Sequence, residues 1–431
     1  MTRIVDQAAA NQLMTFVQRT QQRVNTLQTQ LSSGKTSQDY AGIARESGRL
    51  IRLENARDLY QRFITTNQTM DLRLKTAEST LDSIQKTIKD FRAAVIEYGK
   101  GATDDRERVA AVQDAAFKSL IGLQGLLNTE FDGRFLFGGS KMTSRPVDFG
   151  LSTLDALQNR FDGAMVTAPT TREAHLADVA LTHAVTGGLA FDGASGTIRF
   201  GDPAALAAIP VGATVTFSGT AANDGIAFTV IGKTGGDPVD RLVVRQETLT
   251  SGHALNDESP APATSTVRID SYYHGDSVAT NHRVDSERGF SLEFTAADPA
   301  FEKAIRAMKL IAQGKFGSEG GLDRNAGRID QALALLDSAL DRASQGPGPF
   351  GPEAPGNIET LQTEVGLHRV LINDTNERLR KAIGMLDGHI AGVENINPTE
   401  VATRLFDQAN ALEASLTTIA RVRQLSLVKF L

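Results

Sequence analysis

Three groups of residues in this chain are of types that could do chemistry. Ala227-Phe-Thr-Val-Ile-Gly-Lys-Thr234 satisfies a relaxed phosphate-loop pattern with alanine in the first place. A phosphate loop needs glycines, so that backbone N–H groups can cradle the ligand, and it must open a helix. Here the intervening residues are β-branched and Gly235-Gly-Asp-Pro238 follows, so the stretch reads as a strand ending in a turn. His175 and His183 are eight apart, as are His274 and His282. That spacing shares a helical face only loosely and differs from the spacing of a helical zinc site; surface or turn histidines are the reading. Asp104-Asp105 could pair carboxylates for acid–base work, but it follows the Gly99-Lys-Gly101 break and precedes a helical period. A helix cap meeting the helix dipole explains it. No nucleophile, base and orienter assemble from the remainder. The chain is therefore read as no enzyme, with no catalytic residue, cofactor or metal expected.

What the sequence does carry is a set of seams. Leu13, Val17, Thr20, Val24, Leu27 and Leu31 step alternately by four and three, the period of a coiled-coil helix. Its outer face is mostly Gln, Asn and Thr, and such amides cost far less to desolvate than charges do. Ser32-Ser33-Gly34 breaks it. From Arg45 a helical region runs to Tyr98, with Met70, Leu74, Ala77, Leu81, Ile84, Ile88, Phe91 and Val95 in register. A third helix carries Val109, Val112, Ala116, Leu120, Leu123 and Leu127. Near the other end, Val365, His368, Ile372, Thr375, Leu379, Ala382, Leu386, His389, Val393 and Ile396 form one more seam. Asn397-Pro398 stops it. Val401, Leu405, Leu412, Leu416 and Ile419 then share a face, before Leu425-Ser-Leu427 and the terminus. A helix with an unfilled seam needs a partner, and the matching seams lie near the amino end, so the two ends must meet. His368 and His389 are polar residues in seam positions, where they set register and could loosen the contact in acid.

Composition narrows the class. With 431 residues, more than one domain is expected. The net charge of -6 lacks the basic face of a nucleic-acid binder. Absence of cysteine removes disulfides, thiolate metal sites and cysteine nucleophiles together. No run of eighteen apolar residues is present to span a bilayer. The opening Met1-Thr-Arg-Ile-Val-Asp-Gln7 lacks the apolar core of a cleaved secretory signal. Arg3, Arg19, Arg23 and Lys35 against Asp6 give the profile of an organelle-targeting peptide, but the helical pattern does not stop where a presequence would.

Between about 146 and 288 the heptads vanish. Gly196-Thr-Ile-Arg-Phe200, Ala213-Thr-Val-Thr-Phe217, Ile226-Ala-Phe-Thr-Val-Ile231 and Arg241-Leu-Val-Val244 lie between Gly, Asp and Pro turns. Helical periodicity resumes at Asp298-Pro-Ala-Phe-Glu302. The expected fold is α+β and multidomain: a long antiparallel α-helical coiled-coil rod formed by both chain ends, with a β-rich domain inserted at the tip. The expected divisions are an N-terminal assembly helix (1–42), the first half of the rod (43–145), the β-rich insert (146–288), the second half of the rod (289–397) and a C-terminal assembly helix (398–431).

Several stretches resemble the bacterial flagellin superfamily: Gln30-Leu-Ser-Ser-Gly34, Gly133-Arg-Phe-Leu-Phe-Gly-Gly-Ser-Lys141, and Ala411-Leu-Glu-Ala-Ser415 followed by Leu425-Ser-Leu427. The Gly133–Lys141 stretch, Tyr272-Tyr-His-Gly-Asp276 and Asp298–Glu302 are similar to the superfamily's hook-associated junction branch. Lys35-Thr-Ser-Gln-Asp39 and Phe91-Arg-Ala-Ala-Val-Ile-Glu97 depart from the filament pattern. The resemblance implies an extracellular flagellar subunit that leaves the cell unfolded through the type III export apparatus, without a cleaved signal. It also implies an export chaperone held at the C-terminal helix. The implied partners are further copies of the chain, a hook-side junction protein and the flagellin filament, with no nucleic acid and no membrane insertion. Leu13, Val17, Val24, Leu27, Leu31, Leu405, Leu412, Leu416, Ile419, Leu425 and Leu427 are the expected assembly residues. The alternatives are a filament-forming flagellin, or an adhesin or carbohydrate-binding function carried by the insert.

Overall fold

The computed structural model describes residues 2–43, 45–161, 168–176, 183–184, 188–236, 239–246, 255–262, 265–341 and 348–428. It is an α+β chain with long helices toward both ends and a β-rich part between them. In chain order come α1 (Thr2–Ser33), α2 (Ser47–Gly99), α3 (Arg106–Leu127), the two-residue strands β1 (Glu130–Phe131) and β2 (Arg134–Phe135), α4 (Leu154–Arg160) and α5 (Arg172–Leu176). Strands β3 (His183–Ala184), β4 (Leu189–Asp192) and β5 (Thr197–Phe200), helix α6 (Pro203–Ala207), and strands β6 (Thr214–Ser218), β7 (Ala227–Thr234), β8 (Arg241–Gln246) and β9 (Thr266–Asp270) follow. The remainder is β10 (Thr280–Arg283), β11 (Gly289–Leu292), α7 (Pro299–Ala312), α8 (Gly327–Leu340), α9 (Ile358–Glu394) and α10 (Pro398–Val428). The chain divides into two compact units: residues 1–67 with 373–431, and residues 68–372.

In the first unit α1 packs against α10. Gly34, at φ 71°, lets the chain leave α1 in the left-handed region that side chains avoid, and its N–H closes the helix on Gln30 O at 2.8 Å. The turn then meets the α9–α10 junction. Thr36 N–H donates to Glu394 O (2.6 Å), Ile396 N–H donates to Gly34 O (3.1 Å), and Lys35 pairs with Glu394 at 3.3 Å. The two ends of the chain do meet. Deeper in the unit Asn67 Nδ2 donates to Asn376 Oδ1 at 2.9 Å, a buried amide pair between α2 and α9 that can hold register where apolar residues would slide.

In the second unit the seam residues Leu74 to Tyr98 of α2, and Val109, Val112, Ala116, Leu120, Leu123 and Leu127 of α3, are all buried in one core. Asp105 caps α3, accepting from the N–H groups of Glu107 (2.8 Å) and Arg108 (3.1 Å). Helix α7 is buried from Ala300 to Ala312 and packs on α3, α5 and α8. Asp298 caps it, accepting from Ala300 N–H at 2.9 Å, with Pro299 beginning the helix. Val147, Phe149, Phe161, Tyr272 and Phe294 belong to the same core.

The seven-stranded sheet has the order β3-β9-β6-β7-β8-β5-β4, antiparallel at every pairing. Its own core gathers Ile198, Phe200, Val215, Phe217, Phe228, Val230 and Leu242. Phe217 lies at the centre, edge-on to Phe191 at 5.1 Å and tilted against Phe228 at 6.1 Å. The phosphate-loop look-alike is strand β7, ending in the Gly235 bend.

Two histidine expectations are corrected. His175 is no surface residue; it is fully enclosed on α5 against α7. His183 lies in β3 with its side chain outside the described part, while His274 is exposed and His282 half-buried. On α9, Val365, Ile372, Thr375 and Leu379 are buried as the seam requires, but His389 is exposed and Ile390 is buried instead. A straight helix drifts about 20° per heptad against a 3.5-residue repeat. Over the three heptads from His368 the stripe rotates away, and the next residue takes the contact.

Candidate assembly surface

The α1–α10 pair shows what two helices can and cannot cover. Val24 is buried, while Leu13, Val17, Leu27, Leu405, Leu412 and Ile419 are half-buried along the contact. Leu31 and Leu416 remain exposed. Leu425 and Leu427 fall within α10, and their side chains lie outside the described part. Beside the seam Phe16 is 52% exposed, Phe406 70% and Leu416 50%. The seam pattern passes over Phe16 and Phe406 because each sits one place off it, before Val17 and after Leu405. A large aromatic adjoining a seam was the available signal. A groove of about 440 Å³ opens between the two helices, lined by Gln12, Leu13, Phe16, Ala414, Ser415 and Thr418.

Burying a phenylalanine side chain stabilises by about 1.5–3 kcal/mol relative to leaving it in water, so this surface favours covering. The threonine hydroxyls beside it are already satisfied. Thr15, Thr20, Thr26 and Thr29 each donate their hydroxyl to the carbonyl one turn back, at 2.9–3.0 Å. Covering them leaves few unmet hydrogen bonds.

In the second unit, three stretches far apart in sequence converge. Ser140 donates to Asp276 from its N–H (2.7 Å) and its hydroxyl (2.6 Å), and Asp276 N–H donates to Gly138 O at 3.3 Å. Gly139 has φ 67°, and a Cβ there would stand 2.2 Å from Asp276 O, so no side chain fits. Phe137 packs on Phe301 of α7 at 5.7 Å and on Phe294 at 5.8 Å, while its carbonyl accepts from Ala296 N–H at 2.9 Å. Gly133–Lys141, Tyr272–Asp276 and Asp298–Glu302 thus form one joint.

Behind that joint α7 holds a buried polar cluster that the sequence did not reveal. Lys309 Nζ is 2.8 Å from His175 Nε2, and His175 Nδ1 is 2.9 Å from Glu302 Oε1. An ammonium can only donate, so Nε2 accepts and Nδ1 carries the proton. Burial, then the nearby Lys309 charge, lower His175 to about 3, with Glu302 pulling the other way; the ring is neutral at ordinary pH. Burial pushes Glu302 up, but the His175 hydrogen bond and the Arg306 charge outweigh it and hold its carboxyl below the usual range. Arg306 also reaches Glu353 at 2.6 Å, and Lys303 donates to Ser338 Oγ and Gly356 O at 3.0 Å. The signal for this cluster was Glu302, Lys303, Arg306 and Lys309 interleaved with apolar residues along one short helix.

Among the described residues, no group of three or more His, Cys, Asp or Glu side chains could hold a metal ion, and no helix is long and apolar enough to cross a membrane.

Residues 4–142, which include α1, α2 and α3 almost entirely, match the family model of the bacterial flagellin N-terminal helical region. Among solved structures, the chain is similar to a Vibrio parahaemolyticus protein described as a flagellar hook-associated protein, at 12% identity and TM-score 0.43, over 83% of this chain and 99% of that one. It is also similar to flagellar hook-associated protein 3 from Legionella pneumophila, at 13% identity and TM-score 0.35, over 80% and 98%. A third such structure is FlgL from Xanthomonas campestris, at 12% identity and TM-score 0.34, over 79% and 99%. No curated protein matches the chain.

Proposed function

We propose that this protein is a structural subunit of the bacterial flagellum, serving at the junction of hook and filament. The flagellin-type region over residues 4–142 supports the class. The observation that carries the junction reading is the joint of Gly133–Lys141, Tyr272–Asp276 and Asp298–Glu302, because the three stretches that resemble the junction branch fold onto one another. Function here is geometric. Copies stack head to tail through a contact that does not close on itself, which generates a tube. Residues 1–42 and 398–431 act as the assembly helices. Leu13, Val17, Val24, Leu27, Leu31, Leu405, Leu412, Leu416, Ile419, Leu425 and Leu427 form the seam, and Phe16 and Phe406 flank it. The chain reaches its place outside the cell by type III export, with a chaperone at α10, and meets a hook-side junction protein below and flagellin above.

Seeded polymerisation tests this reading: purified protein is added to isolated hooks and the products are examined by electron microscopy. A short collar that stops growing is the expected result. Long tubes would make the chain a filament subunit, and no attachment at all would overturn the assembly role.

A further inference from the structure

We propose that the second unit contains a binding site for a small organic monocarboxylate, in the cavity between α5, α7 and the segments 148–150 and 271–274. The cavity measures about 220 Å³. A dry protein cavity of about 150 Å³ holds a benzene ring, so a ring bearing one carboxylate fits. Phe149, Phe161 and Tyr272 supply apolar wall, and the hydroxyl-bearing Thr214 and Ser271 also line the site. Lys309 provides the buried charge.

The placement of that ammonium gives the site its chemistry. Lys309 Nζ stands over the Phe149 ring at 5.1 Å and the Tyr272 ring at 5.8 Å. The relay from Glu302 through His175 holds it there at 2.9 and 2.8 Å. A cation fixed against ring faces, away from bulk water, attracts an anion more strongly than the same charge at the surface. The neutral His175 adds no second positive charge, and one ammonium suits a monoanion better than a phosphate dianion, which takes several charged donors. A cationic ligand would meet Lys309 itself. A sugar would need the Phe149 and Tyr272 ring faces that the ammonium already occupies. Asp148 also lines the site, but its carboxylate is exposed, where water screens it, and accepts from Gly150 N–H at 2.9 Å.

The test is titration of the full chain with sodium benzoate, against sodium chloride at equal ionic strength, followed by calorimetry and by the tyrosine and histidine NMR signals. Millimolar binding that shifts Tyr272 and His175 is expected. The uncharged analogue benzyl alcohol is expected to bind at least about tenfold more weakly. Lys309→Met removes the charge at similar volume, and Ala174→Leu fills the cavity while leaving the charge in place; both are expected to lose at least about tenfold in affinity. Equal affinity for benzoate and benzyl alcohol would overturn the proposal, as would full binding by Ala174→Leu or no binding up to about 50 mM. If Lys309→Met proves unfolded by circular dichroism, Ala174→Leu and the benzyl alcohol comparison decide. The cavity shares no residue with the helices at 1–42 and 398–431 proposed for assembly, so absence of benzoate binding with normal addition to hooks would sink this proposal and leave the assembly reading standing.

Discussion

Replacing His175 with glutamine should change how the second unit responds to acid. In the folded protein the imidazole is neutral, wedged between Lys309 and Glu302, with a pKa lowered to about 3 from 6.5. An unfolded chain takes up a proton there below about 6.5. Between those values the unfolded state binds the extra proton, so the contribution is fully present above pH 6.5 and is lost as pH falls toward 3. At about 1.4 kcal/mol per unit, the window is worth on the order of 5 kcal/mol. Glutamine can donate to Glu302 and accept from Lys309, but it does not titrate. Urea melts from pH 7.5 to 4 can be followed by the near-ultraviolet circular dichroism of the tyrosines, since the chain has no tryptophan and Tyr272 packs on His175 at 4.7 Å. The wild type should lose about 1.4 kcal/mol more per pH unit than His175→Gln below 6.5. Parallel curves for the two proteins would refute the tautomer and charge assignment.

Three further outcomes follow from other parts of the molecule. Leu412→Asp places a charge in the half-buried α1–α10 contact at a cost of a few kcal/mol; it should keep the strand signal in circular dichroism yet fail to add to hooks, and normal incorporation would contradict the seam. Gly139→Ala puts a Cβ 2.2 Å from Asp276 O at a left-handed backbone position, so it should cost more than about 1 kcal/mol in a urea melt. His368 stacks on Phe290 at 4.1 Å with a buried Nδ1 that lacks a hydrogen-bond partner among the described residues. Burial lowers its pKa, and His368→Leu should leave stability at pH 7 equal or higher while flattening its loss below pH 6.

The seams of α2 and α3 were legible because a helix writes its buried face into local spacing, and every residue from Leu74 to Tyr98 on that face is buried. The meeting of the ends was legible for the same reason: two unfilled stripes required each other. Strand pairing was not, because β9 lies between β3 and β6, an order fixed by contacts far apart in the chain. Helix α7 misleads in a different way. Glu302, Lys303, Arg306 and Lys309 are of types that usually face water, yet all four are buried, and some of the partners that make this possible, such as His175, lie more than a hundred residues away. The drift that exposes His389 and buries Ile390 is a property of the helix's true pitch, which a heptad template ignores.

The threonine and amide face of α1 has a consequence for where such a part could work. Between Asn11 and Ser33 the helix carries only two charges, Arg19 and Arg23, and the hydroxyls of Thr15, Thr20, Thr26 and Thr29 turn back on their own backbone. Ionic strength weakens contacts by screening charges over the Debye length, about 10 Å at 0.1 M salt. A contact made of amides, methyls and aromatic rings offers salt almost nothing to screen. Such a coupling would hold in pond water and in brine alike.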